Sequence, residues 1–143
     1  MRVLALDSSS PVLSCALWED GRILAESRSE ERAGDVLPDA LLALAPLDSI
    51  DALAAGIGPG SFTGLRVGLA AVKALAYARK LPVAGASSLR ALALSAGRPG
   101  EVVVPTLEAR RGELYACALR GAEVVRPETV LQAQDLAAWL PEG

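Results

Sequence analysis

Histidine is absent from this chain of 143 residues. Histidine is the commonest general base of enzymes and a frequent zinc ligand. Its absence excludes Ser-His-Asp and Cys-His catalysis, the HExxH zinc site and histidine-based acid–base chemistry. We therefore predict neither a metal site nor a hydrolase of these classes.

Aromatic residues are scarce, at 3% of the chain, although hydrophobic residues make up 52%. A core of useful size must therefore be packed from Ala, Val and Leu. Lysine is also rare, with Lys73 and Lys80 the two in the chain, and the formal net charge is −3. A chain without a basic field is not expected to bind nucleic acid unaided.

The two cysteines, Cys15 and Cys117, lie far apart in apolar segments without CxxC spacing. This pattern favours buried free thiols in a reducing compartment. Asp7 interrupts the N-terminus too early for a signal peptide, and Arg66 and Lys73 break the longest apolar segment below membrane-spanning length. We expect a soluble, cytoplasmic protein without a membrane segment.

Glycine is concentrated in residues 56–68, which read GIGPGSFTGLRVG. Glycine allows close backbone approach, Ser61 or Thr63 can cap a following helix, and helix N-termini attract anions. The segment lacks the Gly-Lys-Ser/Thr of a P-loop and is not the G-x-G-x-x-G of a nicotinamide-binding fold. From chemistry alone, a phosphate site and a plain glycine-rich turn both remain open.

Hydrophobic periodicity and turn residues predict eight elements in the order β-β-β-α-β-α-β-α. Asp20-Gly21 indicates a two-residue hairpin, Asp35 is the predicted cap of the first helix, and Pro46 follows its end. Tight turns make the first three strands antiparallel, whereas helical crossovers make strands one, four and five parallel. This order predicts an α/β fold, the ribonuclease-H-like or actin-like ATPase lobe. The strands are expected at residues 3–7, 12–19, 22–28, 50–57 and 81–86, and the helices at 35–45, 62–80 and 88–96.

The first strands are echoed about a hundred residues later. Residues 3–7 resemble residues 104–108, the segment around Cys15 resembles that around Cys117, and Gly21 resembles Gly121. An internal duplication explains this most simply. We expect a complete lobe over residues 1–100 and a remnant second lobe over residues 101–143, with three strands and a helix at 132–140.

Four segments resemble the TsaB family, also called YeaZ. The N-terminal MRVLALDSS with LSCALW, the GPGSFTGLRVG block at residues 58–68, LPVAGASSL at 81–89 and EARRGELY at 108–115 are similar to that family's sequences. The resemblance covers residues 1 to about 120, and the glycine-rich block is its most specific part. Two departures are AGDVLP at residues 33–38, where the family usually carries a His-Ser type pair, and a shorter C-terminal part.

The resemblance implies a bacterial, non-catalytic partner of TsaD in the formation of N6-threonylcarbamoyladenosine at position 37 of tRNA. It implies a heterodimer with TsaD, TsaE in a larger complex, a homodimer in isolation and only indirect contact with tRNA. In the family the first two helices form the TsaD surface, whereas the residues alone leave open that the second is simply a core helix. The expected interface residues are Leu37, Pro38, Leu41, Arg66, Leu69 and Val72.

No cofactor of its own is expected, but ATP or ADP could be shared at the junction with TsaD. The expected turn or shared nucleotide contacts are Asp7, Gly58, Gly60, Ser61, Thr63 and Gly64. Three alternatives stay open: an M22-type glycoprotease, which the absence of histidine disfavours, a stand-alone small ATPase or sugar kinase, and a homodimeric scaffold.

Overall fold

The computed structural model describes residues 1–141, which form two compact units. The first unit is Met1–Ala86 and the second begins at Ser87. The expected division at residue 100 is thus displaced, because the helix that follows Ala86 buries Leu89 and Ala93 with residues of the second unit. No helix among the described residues is long and apolar enough to cross a membrane.

The first unit contains a five-stranded mixed sheet of order β3-β2-β1-β4-β5. β1 pairs antiparallel with β2 and parallel with β4, and β5 is parallel to β4. Asp20 and Gly21 have φ angles of 46° and 90°, as a type I′ hairpin requires. The predicted actin-like lobe topology is confirmed. The strands are Arg2–Asp7, Leu13–Glu19, Arg22–Ser29, Ala52–Gly56 and Val83–Ala86.

Two helices, α1 (Ala33–Leu44) and α2 (Phe62–Arg79), pack on this sheet. Arg32, not Asp35, stands at the N-cap position of α1, and it makes no side-chain capping bond. Asp35 lies within the first turn, where a carboxylate is still favourable to the helix dipole. Lys80 ends α2 in the left-handed conformation.

The core of the first unit is aliphatic, as the scarcity of aromatic residues predicts. Most of its side chains are leucines from the sheet and from α1, and α2 contributes one valine. Leucine and valine fill such a core at high density without polar atoms that need partners. Its buried residues are Leu4, Leu6, Leu13, Cys15, Leu17, Leu37, Leu41, Ala45, Ile50, Leu53, Ala55 and Val72.

The second unit packs helix α3 (Ser88–Ala96) against an antiparallel sheet. Its core holds Leu89, Ala93, Cys117 and Leu119. The helix predicted at residues 132–140 is shorter and less regular than expected: the last strand continues to Gln132, and a 3₁₀ turn (Ala133–Asp135) then leads into the single turn α4 (Leu136–Trp139). The strands are β6 (Val102–Val103), β7 (Thr106–Glu108), β8 (Glu113–Arg120) and β9 (Glu123–Gln132).

The second sheet repeats the antiparallel meander of the first three strands. β6 and β7 pair with the same side of β8 in one continuous register, and β9 pairs with β8. Leu6 pairs with Cys15 in the first meander, and Leu107 pairs with Tyr115 in the second. By register, therefore, Tyr115 and not Cys117 corresponds to Cys15. The predicted second lobe remains a proposal, and residues 142 and 143 lie outside the described residues.

Candidate functional site

The glycine-rich segment packs against the turn that follows β1. Gly56 ends β4, Gly60 lies in the turn before α2, and Gly64 and Gly68 lie about one helical turn apart within α2. A Cβ atom on Gly56 would overlap the Asp7 carboxylate, one on Gly60 the Ser9 carbonyl and one on Gly64 the Ser8 carbonyl. A Cβ atom on Gly68 would overlap the Ser8 hydroxyl. We call these four residues the glycine ladder.

Hydrogen bonds hold the same contact together. The Ser61 amide donates to the Ser9 carbonyl at 2.6 Å, and the Ser8 hydroxyl donates to the Gly64 carbonyl at 2.8 Å. Ser61 Oγ accepts from the Gly64 amide at 3.1 Å, which confirms the predicted N-cap of α2. Ser8 and Ser9 are buried. The start of α2 is therefore fixed to the end of β1.

The same packing engages several polar groups of the glycine-rich segment and of the turn after β1. The Gly64 and Leu65 amides at the helix start are already bound by Ser61, and the Asp7 carboxylate accepts from the Ser9 amide at 2.7 Å. Asp7 thus closes the turn after β1, a frequent role of aspartate. The geometry is that of a tightly packed helix start, and its polar groups are largely engaged within the chain.

The expected nucleotide contacts differ in accessibility. Gly58 is buried, and Asp7, Gly60 and Gly64 are half-buried within the packed turn. Ser61 and Thr63 are exposed on the first turn of α2. Within residues 1–141 no group of three or more His, Cys, Asp or Glu side chains is placed to hold a metal ion.

Burial divides the six expected interface residues. Leu37, Leu41 and Val72 are only 2–4% exposed in the core of the first unit, so the interpretation of them as contact residues is wrong. Leu69 is half-buried against the same core. Pro38, inside α1, and Arg66, on α2, are exposed. The side of α2 that carries Leu69 and Val72 therefore packs against the core of the first unit.

The exposed side of α2 was missed in the sequence. Phe62 is 70% exposed and Tyr77 is 90% exposed, although the chain has only one Phe and two Tyr. They lie on one stripe of the helix, with small alanines between them. The stripe residues follow one another mostly at intervals of three or four, and this spacing is visible in the sequence. We call it the α2 stripe: Phe62, Arg66, Ala70, Lys73, Ala74 and Tyr77.

The charged side chains of the α2 stripe are basic, and Arg66 is held in place by its neighbour Phe62. The Arg66 guanidinium lies over the Phe62 ring, 5.5 Å from its centroid, in a cation–π contact. α2 contains no acidic residue, and Arg79 near its end forms an ion pair with Asp48. The helix therefore presents exposed aromatic surface next to positive charge.

The two thiols are unsuited to nucleophilic chemistry. Burial raises the pKa of the Cys15 thiol to about 11. Burial also raises the pKa of Cys117, with a further rise from Glu128 and an opposing effect of Arg90. A cysteine acts as a nucleophile through its thiolate, so both side chains are inert at neutral pH.

Comparison with known proteins agrees with this fold. The sequence model described as TsaD, tRNA N6-adenosine threonylcarbamoyltransferase, matches residues 24–138. The tRNA threonylcarbamoyladenosine biosynthesis protein TsaB of Escherichia coli (strain K12) is 40% identical over 123 residues, which cover 80% of this chain and 53% of that protein. This chain thus spans about half the length of that relative.

Solved structures show the same relationship. YeaZ from Pseudomonas aeruginosa superposes with a TM-score of 0.76 at 35% identity, covering 91% of this chain and 67% of that one. The Lmo2764 protein of Listeria monocytogenes shares the fold alone, with a TM-score of 0.52 at 16% identity over 87% of this chain and 49% of that one. The chain therefore belongs to the family described by the TsaD model and, within it, to the TsaB (YeaZ) group.

Proposed function

We propose that this protein is a non-catalytic partner of a TsaD-type transferase in the formation of N6-threonylcarbamoyladenosine on tRNA. The observation that carries the proposal is the α2 stripe, which exposes Phe62 and Tyr77 on a helix fixed by the glycine ladder. Exposed aromatic surface on a rigid helix is typical of protein–protein contact. Such a role places the protein in the cytoplasm, where tRNA is modified.

The non-catalytic part of the proposal rests on the lack of a suitable general base or nucleophile among the side chains considered below. The sequence has no histidine, and both thiols have raised pKa values. Asp7 stands where an actin-like ATPase would keep a catalytic carboxylate, but here its carboxylate closes the turn after β1. The neighbouring Ser8 and Ser9 are packed against Gly60 and Gly64 rather than forming an open phosphate turn.

The proposed surface keeps the two expected helices but changes the residues within them. Pro38 and Arg66 stay in it because they are exposed, and Leu69 remains at its margin. Leu42, 60% exposed on α1, is added together with the α2 stripe. A nucleotide shared with TsaD would meet this chain through Ser61 and Thr63, because these two residues are exposed at the start of α2.

Reconstitution tests the proposal. Purified TsaD from the same genome, with TsaE, threonylcarbamoyl-adenylate and tRNA, is assayed for transfer of the threonylcarbamoyl group with and without this chain. We expect transfer to depend on the chain, and the chain alone to transfer nothing. Full activity of TsaD and TsaE without it, or ATP turnover by the chain alone, would overturn the proposal.

The homodimer expected in isolation uses the same surface in this proposal. Exposed aromatic side chains favour pairing with any complementary helix, a second copy included. Addition of TsaD should therefore convert a dimer into a heterodimer. A homodimer that persists on size-exclusion chromatography with excess TsaD would favour the scaffold alternative instead.

A further inference from the structure

The sheet of the second unit has an edge without the protection that sheet edges usually carry. This edge consists of residues 102–108, on the side away from β8, and we call it the β6–β7 edge. No charged residue lies between Glu101 and Glu108 in the sequence. An uncharged strand edge is open to pairing with another strand, and β-branched residues favour such pairing. The β-branched residues of the edge are Val102, Val103, Val104 and Thr106.

The other sheet edges within residues 1–141 are charged or short. β3, at one edge of the first sheet, carries two arginines and a glutamate. β9, across the second sheet, carries Pro127 between Arg126 and Glu128. Charged side chains and proline both discourage pairing with a further strand. β5 has no charged residue, but it is only four residues long.

The register with β8 shows which backbone groups face outward. The Ala109 amide donates to the Glu113 carbonyl at 2.9 Å, and in the same register Leu107 lies opposite Tyr115. Hydrogen-bonded positions alternate along an antiparallel strand, so the odd-numbered residues of the edge face β8. Pro105, which has no N–H, is among these and leaves the outer side uninterrupted. The residues whose amides and carbonyls face outward are Val102, Val104, Thr106 and Glu108.

In the first unit the equivalent edge is occupied. β7 corresponds to β1 by register, since Leu107 pairs with Tyr115 as Leu6 pairs with Cys15. β1 has a second neighbour on the side away from β2, the parallel strand β4. Within residues 1–141 no strand takes this place beside β6 and β7. A strand that fills the β6–β7 edge must therefore come from outside these residues.

We propose that the β6–β7 edge pairs antiparallel with the same edge of a second copy of this chain. A two-fold axis at Val104 places Val104 opposite its copy and Val102 opposite Thr106, so that outward-facing residues meet each other. Both residues of such a pair exchange N–H···O bonds. The proposal goes beyond the function proposed above and does not depend on it, because the α2 stripe takes no part in the contact.

Charge and side-chain shape favour a second copy in this register. The facing pairs consist of β-branched residues on one face of the joined sheet, a combination that stabilises paired strands. Glu108 faces Gly100 of the other copy and Glu101 faces Leu107, so no carboxylate faces a carboxylate. A register shifted by two residues would instead bring Glu108 opposite Val102.

The paired surface is small, so the association should be weak. Leu94, 67% exposed on α3, lines an apolar cavity together with Val103, and apolar surface thus continues from the edge onto α3. A short paired strand with this side chain stays below the roughly 800 Å² per partner of a standard interface. We expect a dissociation constant between about 10 µM and 1 mM.

Charge substitution at the two-fold axis tests the proposal. All proteins carry Phe62→Ser/Tyr77→Ser, which removes the exposed aromatic residues of the α2 stripe and with them the other expected homodimer contact. Sedimentation velocity over a concentration series compares this parent with Val104→Lys, with Val104→Glu and with an equimolar mixture of the two. The control is Val124→Lys, at a 43% exposed position on β9. Circular dichroism confirms that each variant is folded.

Val104→Lys and Val104→Glu should each weaken the dimer by at least about tenfold, because the axis brings like charges directly opposite each other. Their mixture should associate at least about tenfold more tightly than either alone, because Lys then faces Glu. Val124→Lys should stay within about twofold of the parent. A parent that is monomeric at about 1 mM, a control weakened as much as Val104→Lys, or a mixture that does not associate would overturn the proposal.

Hydrogen exchange of the parent locates the contact without altering the edge. The amides of Val104 and Thr106 should exchange at least about tenfold more slowly well above the dissociation constant than well below it. The amide of Leu107 faces β8 and should exchange at the same rate in both samples. Rates for Val104 and Thr106 that do not change with concentration would overturn the proposal, even if the parent dimerises.

Discussion

The same substitution, glycine to alanine, should have opposite effects at two helical positions of the first unit. Gly64 lies in the first turns of α2, where a Cβ atom would overlap the carbonyl oxygen of Ser8. Gly34 lies in α1, and a Cβ atom there would meet nothing within 4 Å. Gly64 suits this test better than Gly60, because Gly60 has a φ of 155°, where a side chain would add backbone strain to the steric effect.

The magnitude at Gly64 follows from four effects. Alanine gains up to about 1 kcal/mol of helix propensity over glycine. Against this, forcing a methyl group into a packed contact costs about 1–3 kcal/mol. The displacement also weakens the Ser8–Gly64 hydrogen bond, which contributes about 1 kcal/mol, and the Ser61 cap, which contributes about 0.5–2 kcal/mol. We expect a net loss of about 2–4 kcal/mol in the free energy of unfolding.

Alanine at position 34 should instead raise the free energy of unfolding by about 0.5 kcal/mol, because it restricts the unfolded chain without a clash. Urea titration measures both variants. To follow the first unit by itself, a Trp139→Phe background leaves Trp18, on β2, as the fluorescent reporter. An unchanged or higher urea midpoint for Gly64→Ala would refute the packing role assigned to the glycine ladder.

Two further predictions concern the core and the thiols. Leu37→Ala should lower the free energy of unfolding by about 2–5 kcal/mol because Leu37 is buried. The exposed control Leu42→Ala should change it by no more than about 0.5 kcal/mol. Equal urea midpoints for the two variants would contradict the assignment of Leu37 to the core. The pKa of Cys15 is raised on folding to about 11, so the stabilising effect of the neutral thiol is complete below the ordinary cysteine pKa near 8.5 and is lost as pH rises toward 11. The urea midpoint should fall over this alkaline window and fall less in Cys15→Ala, and identical pH profiles would contradict the prediction.

Local chemistry explains why the topology of the first sheet could be predicted from the sequence. Asp20-Gly21 specifies a tight hairpin by its own backbone preferences, and Ser61 caps α2 three residues from its partner amide. These signals act over a few residues, so no knowledge of the tertiary fold is needed. The parallel strands followed from helices that are long enough to cross the sheet.

The incorrect predictions depended on contacts distant in sequence. The helix expected at residues 132–140 begins later than expected, because the sequence does not show that Gln132 still pairs with Glu113 of β8. The compact units divide after Ala86 rather than at residue 100, because the apolar face of α3 packs through Leu89 and Ala93 against a sheet that comes later in the chain. Periodicity identifies an apolar face but not the element that covers it.

The interface residues illustrate the same limit most sharply. α2 is apolar or small around most of its circumference, so the sequence indicated one side that covers the sheet and a second side left for a partner. Both sides are largely covered within the chain. One side contributes Val72 to the core, and the other packs through Gly64 and Gly68 of the glycine ladder against the turn after β1. What remains is the narrow stripe with Phe62 and Tyr77. A helix held from two sides can keep exposed aromatic residues in fixed positions, and this rigidity lowers the entropy lost when a partner binds. The glycine ladder thus links the most specific motif of the sequence to the proposed partner surface without any contact of its own with the partner.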